Sequence, residues 1–185
     1  MTDAIPVSTP MESGTKLVLP DINEEKPELP YQQLIGSLMY IAIGTRPDIA
    51  HTVSVLSQFN AHYGEVHWRA AKRVLRYLKA SKDKRLIFKK TGDMIGYADA
   101  DYGSNLVDRR SYTGYVFQMS GSSVSWESRK QRTVAQSTTE AEYMALNLLV
   151  IEEAISKAGP VEAFIHHMTY DYHSGNNLRR VTPQF

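Results

Sequence analysis

Cysteine is absent, which excludes disulfides and cysteine-ligated zinc from the outset. No stretch of about eighteen consecutive apolar residues occurs, the length a membrane-crossing helix needs. The opening MTDAIPVSTPMESG lacks the cationic start and apolar run of a secretory leader. The expectation is an intracellular chain of cytoplasm or nucleus, with no membrane partner. Internal repeats and low-complexity runs are missing too. Proline is scarce beyond residue 30: five of the eight fall within residues 1–30, which show little periodicity and read as an extended arm or linker. Acid is nearly absent from residues 66–90, where ten Lys or Arg face Asp83 alone, whereas residues 1–30 carry six acids against two lysines. The net charge of +1 conceals this segregation. A basic block of that density is either a solvated helix face or a surface for a polyanion.

With 185 residues, 42% of them apolar, the chain can build one large core or two small ones. Leu34, Ile35, Leu38, Met39 and Ile41 cover most of a helix over 31–43. Pro47 restarts the chain in a first helical turn, and Ile49, Val53, Leu56 and Phe59 continue on one face. A third helix over about 66–80 carries Trp68, Ala71, Val74, Leu75 and Leu78 as its core stripe. Lys72, Arg73, Arg76 and Lys79 lie largely on its other side. From residue 85 the period becomes two: Leu86 and Phe88, Ile95 and Tyr97, Tyr115 to Met119, then Val124 and Trp126 alternate in runs separated by Gly, Ser and Asp. A helix returns near Thr138 with Ala141, Ala145, Leu148 and Leu149. The pattern predicts an α+β or α/β fold: an arm over 1–30, a helical unit over 31–84, and a sheet-and-helix domain over 85–185.

Two acidic clusters are candidates for chemistry. Asp99 and Asp101 stand at or just past the end of an otherwise apolar strand, where they read either as turn-forming residues or as metal ligands. Ser137 and Glu140 have capping-box spacing at the start of a helix, which accounts for Glu140. Glu142 is left over, beside the stripe of Ala141, Ala145 and Leu148, within reach of a strand end.

Long ordered motifs then carry a resemblance. YQQLIGSLMY at 31–40, TRPDI at 45–49 and HWRAAKRVLRYLK at 67–79 resemble the segment that follows the polymerase palm in copia-type retrotransposon Pol polyproteins. Asp108-Arg109-Arg110-Ser111, Ser125-Trp126 with Lys130-Gln131, and STTEAEY at 137–143 resemble the ribonuclease H domain that comes next. The resemblance covers roughly residues 31–150. It implies a ribonuclease H-like mixed sheet with helices, whose clustered carboxylates hold two Mg²⁺ (or Mn²⁺) ions and hydrolyse the RNA strand of RNA–DNA hybrids. Position by position, Asp99 matches the first carboxylate and Glu142 the second; Asp101 is a weaker candidate. Met168-Thr169-Tyr170-Asp171 resembles the site of the third, which makes Asp171 a candidate catalytic and metal-binding residue. Lys72, Arg73, Arg76, Lys79, Arg109, Arg110 and Lys130 are the matching candidates for contacts with nucleic acid. His166, His167 and His173 lack regular spacing and read as surface or linker histidines.

Two departures shape the expectation. The palm and its paired aspartates would lie before residue 1, so polymerase activity is not expected. The nuclease domain is expected to be C-terminally incomplete, drifted after about residue 150 and stopping before its last strand and helix. Three readings stay open: a metal-dependent hybrid nuclease, a non-catalytic nucleic-acid-binding remnant, and a relic without function. In each, the remainder of the polyprotein is an expected partner.

Overall fold

The computed structural model describes residues 4–21, 26–90 and 94–158. Helix α1 spans Tyr31–Gly44, a short 3₁₀ turn Pro47–Ile49 leads into α2 (Ala50–Ser57), and α3 spans Glu65–Ala80. Strands β1 (Met94–Asp101), β2 (Tyr112–Met119) and β3 (Ser122–Lys130) form an antiparallel sheet in the order β1-β2-β3, followed by α4 (Thr138–Ala158). The chain is thus a mixed α/β protein whose described sheet is wholly antiparallel. Asp171, His166, His167 and His173 lie outside the described residues.

The helices close one core around Tyr31, Ile35, Leu38, Ile49, Val53, Leu56 and Phe59, all buried. Tyr31 stacks on Tyr63 at 4.5 Å between ring centres, and its hydroxyl donates to the Leu56 carbonyl at 2.8 Å. Burial therefore raises the Tyr31 phenol, because the charged form has lost its water. On α3 the buried stripe is His67, Ala71, Val74 and Tyr77. Trp68, Leu75 and Leu78, expected at its centre, only flank it. The cause is at the helix start, where the backbone N–H of Gly64 donates to His67 Nδ1 at 3.0 Å and the imidazole packs on Phe59 at 4.2 Å between ring centres. That contact turns the helix by about one residue relative to the apolar pattern.

A second, smaller core holds the sheet to α4 through Tyr115, Phe117 and Leu148, with Ala98, Val124 and Leu149 against them. The β2–β3 hairpin turns on Ser120 and Gly121, with φ of 55° and 82°. Two left-handed residues give the type I′ geometry that matches the twist of paired strands. Helix α4 begins as its spacing predicts: Ser137 Oγ accepts from the Glu140 N–H at 3.1 Å, while the Glu140 carboxylate accepts from the Gln136 N–H at 2.7 Å. The alternation at Leu86 and Phe88 does not yield a strand. Residues 85–89 are irregular, tied to the hairpin by one bond, Lys89 N–H to the Ser120 carbonyl at 2.9 Å. A two-residue alternation without a partner strand cannot satisfy its backbone by pairing.

Candidate functional site

Strand alternation sorts the carboxylates. A Cβ added at Gly96 would lie 2.8 Å from Phe117 Cε1 and 3.1 Å from Leu149 Cδ1, so the even positions of β1 face α4 at close range. Its odd positions, Tyr97, Asp99 and Asp101, face the opposite way. There, with His51, Tyr112 and Trp126, they line an open hollow of about 570 Å³ between the sheet and the 3₁₀–α2 segment. Asp99 pairs with Gly114 and lies inside β1, not past its end.

Glu142 is exposed on α4. Gln131, buried, donates through Nε2 to Thr113 Oγ1 at 2.8 Å and to the Ala141 carbonyl at 3.0 Å, and Thr113 pairs with Ala100. The first turn of α4 is therefore level with Ala100, and Glu142 shares one end of the sheet with Asp99 and Asp101. The sheet brings these carboxylates to the same end but on either side of β1, whose outer edge is unpaired among the described residues. Among those residues no group of three His, Cys, Asp or Glu is placed to hold a metal ion.

His51 was not singled out by its sequence, although it follows the TRPDI segment within one turn. Its Nδ1 lies 3.2 Å from Ser128 Oγ and its ring meets Tyr112 edge-on at 5.1 Å. Burial lowers the imidazole pKa, and the nearby Asp101 charge opposes the shift without cancelling it. His51 is thus a contact between α2 and the sheet, made to Ser128 on β3 and Tyr112 on β2.

The expected nucleic-acid contacts divide into two groups. Lys130 Nζ binds Asp108 Oδ2 at 2.7 Å and Gln58 Oε1 at 3.1 Å, and Arg110 Nε lies 3.6 Å from Asp108. Burial tends to raise the Asp108 carboxyl, but the hydrogen bonds from Lys130 and from the Arg110 backbone N–H, with their charges behind them, bring it below its usual range. Together with Asn105 Nδ2 to Gln58 Oε1 at 2.6 Å and a bond from Gln58 to Tyr112, these residues fasten the sheet to α2. Trp126 adds a bond from Nε1 to the Ala42 carbonyl at 2.8 Å. Arg109 is exposed with φ of 58° in the β1–β2 connection.

The second group is the α3 face. Lys72 Nζ sits 5.5 Å from the Trp68 ring centre. Arg73 donates to Glu12 Oε1 at 2.6 Å and to Thr9 Oγ1 at 3.1 Å, Arg76 Nε to the Ile5 carbonyl at 2.6 Å, and Lys79 Nζ to the Ala4 carbonyl at 3.0 Å. The arm thus lies along the basic face.

The TRPDI segment is a clamp. Arg46 grips the Asp48 carboxylate with Nε and Nη2, both at 2.8 Å, and reaches the Ser81 carbonyl at 3.2 Å. Tyr77 donates its hydroxyl to Asp48 Oδ2 at 2.6 Å. Burial would raise the Asp48 carboxyl, yet the Arg46 and Tyr77 bonds hold it down to about 2.

A helical unit docked on one face of an antiparallel sheet through α2, with α4 on the other face and carboxylates at one strand end, defines a mixed α/β protein. Comparison with known proteins then gives the family. Residues of this chain are 45% identical over 152 positions to the Pol polyprotein of the tobacco (Nicotiana tabacum) transposon TNT 1-94, a match covering 78% of this chain and 11% of the relative. The Arabidopsis thaliana RE2 Pol polyprotein is 39% identical over 148 residues, 79% of this chain and 10% of that protein. A protein of Plasmopara viticola named secreted RxLR effector protein 161 is 49% identical over 121 residues, 64% of this chain and 85% of its own length. The chain belongs to the copia-type retrotransposon Pol polyprotein family, and it spans about a tenth of the length of the polyproteins it matches. No family model and no solved structure matches it. No described helix is long and apolar enough to cross a membrane.

Proposed function

We propose that this chain is the part of a Pol polyprotein that joins the end of reverse transcriptase, residues 31–84, to a ribonuclease H-like domain, residues 85–185, and that its ancestral reaction is hydrolysis of the RNA strand of RNA–DNA hybrids. One observation carries the reading: Asp99, Asp101 and Glu142 share one end of the sheet, the two aspartates on one side of β1 and Glu142 on the other. The antiparallel β1–β2–β3 order followed by α4 supports it, as does the motif resemblance over residues 31–150.

The donors fit a hard cation in kind, being carboxylate oxygens with no thiolate in the chain. They do not fit in number, because no three converge among the described residues. Mg²⁺ or Mn²⁺, when bound in such a site, supplies an activated water and stabilises the leaving oxygen. Contacts from the α3 cations to phosphates would position a hybrid without reading its sequence.

The test is hybrid cleavage in millimolar Mg²⁺ or Mn²⁺, with Asp99→Asn as control, alongside the thermal unfolding midpoint with and without the cation. A cation-dependent rise in midpoint that vanishes in Asp99→Asn is the expected result. An equal rise in wild type and mutant would remove the site. Absence of cleavage, with hybrid binding retained, would favour the non-catalytic binding fragment.

A further inference from the structure

We propose that residues 4–12 of the arm are a displaceable cover on the basic face of α3, competing with a nucleic-acid strand for Arg73, Arg76 and Lys79. The inference rests on the reading of that face as a phosphate-contacting surface. The three cations recur every third residue, which at 1.5 Å per residue spaces them about 4.5 Å apart along the helix axis. The arm runs antiparallel to α3 and sets an oxygen on each: the Ala4 carbonyl at Lys79, the Ile5 carbonyl at Arg76, and Thr9 Oγ1 with Glu12 Oε1 at Arg73. A phosphodiester strand offers acceptors of the same kind, with a full charge on every phosphate.

Three features make the cover removable. The arm forms neither helix nor strand over residues 4–21, and Thr15 N–H to the Glu12 carbonyl is a local turn, so little backbone pairing is lost on release. Glu12 is 69% exposed against 20% for Arg73, and an ion pair with one wet partner is weak and screened by salt. The arm also serves the guanidinium incompletely. Nε of Arg73 is buried without a hydrogen-bond partner, a donor that a two-pronged phosphate contact would use. Leu17, buried in the helical core, anchors the arm beyond the cover, and Val7 is the cover's half-buried contact with that core, so lifting residues 4–12 gives up the partial burial of Val7 and leaves the Leu17 anchor in place.

The experiment measures hybrid affinity of the full chain by fluorescence anisotropy at low and moderate salt. It compares wild type, Glu12→Gln, the charge-matched control Glu28→Gln, and a Lys72→Ala, Arg73→Ala, Arg76→Ala triple variant. Glu12→Gln should bind about two- to fivefold more tightly than wild type at low salt, the scale of one exposed ion pair. Glu28→Gln should change affinity much less, and the triple variant should bind more weakly with a shallower salt dependence. If the triple variant loses affinity while Glu12→Gln binds no tighter than Glu28→Gln, the cover is refuted and the nucleic-acid face stands. If the triple variant matches wild type in affinity and salt slope, the face itself is refuted and the cover with it.

Discussion

Replacing Asp48 with Asn removes one charge from the clamp that joins the start of α2 to the end of α3, and its cost can be worked from the contacts. The carboxylate accepts two bonds from Arg46 and one from Tyr77, with Lys84 Nζ at 3.7 Å. Its carboxyl is held down from 3.8 to about 2. At roughly 1.4 kcal/mol per pH unit, the charged form is stabilised by at most about 2 kcal/mol relative to the unfolded chain. The Asp48 side chain is 27% exposed, and solvent screening reduces that ceiling, so Asp48→Asn should cost about 1–2 kcal/mol at neutral pH. For a chain of this size that lowers the unfolding midpoint by about 3–6 °C. A depressed carboxyl contributes its full stability above the unfolded value of about 4 and loses it as pH falls toward 2. The wild-type advantage should therefore be constant from pH 7 to about 5 and shrink below 4, where protonated Asp48 resembles Asn. Urea unfolding followed by circular dichroism from pH 7 to 3 reads this directly. An advantage that is absent at pH 7, or that stays undiminished at pH 3, refutes the clamp.

Gly96→Ala should destabilise by about 1–3 kcal/mol, because the new methyl meets Phe117 and Leu149 at 2.8 and 3.1 Å, and only the Leu149 end can shift; a normal unfolding midpoint would show that α4 is not seated on β1 at that range. Trp68→Ala should cost about 1–3 kcal/mol, below the roughly 3–5 kcal/mol of a fully buried aromatic, because the ring flanks the α3 stripe instead of centring it. A loss at the upper figure in calorimetry would restore Trp68 to the core.

The regular elements were legible because burial repeats with the period of the chain. Tyr115 and Phe117 alternate into one face of the sheet, and Ile49, Val53, Leu56 and Phe59 are all buried in one core as their spacing predicts, although α2 itself holds only Val53 and Leu56, with Ile49 in the 3₁₀ turn before it and Phe59 in the turn after it. The cap at Ser137 and Glu140 was legible for the same reason, since every atom involved lies within one turn. The phase of α3 was not, because His67 takes the place of Trp68 through a contact with Phe59, which lies in the turn after α2. Asp99 and Glu142 could be named by motif, but their separation by the plane of β1 could not. That depends on which parity of the strand meets α4, and the parity is set by small residues at Gly96 and Ala98 admitting Leu149.

Sequence alone determined the helices, the strands from residue 94 onward, the segregation of charge and the family. Tertiary structure decided what the charges do: Arg46 and Asp48 close on Tyr77, Lys130 turns inward to Asp108 and Gln58, and the acidic arm settles on Arg73. The physical reason is range. Periodic burial is a property of neighbours three, four or two residues apart, whereas an ion pair or a buried amide bond exists only after elements tens of residues apart have docked, and the partner it finds depends on the angle and depth of that docking.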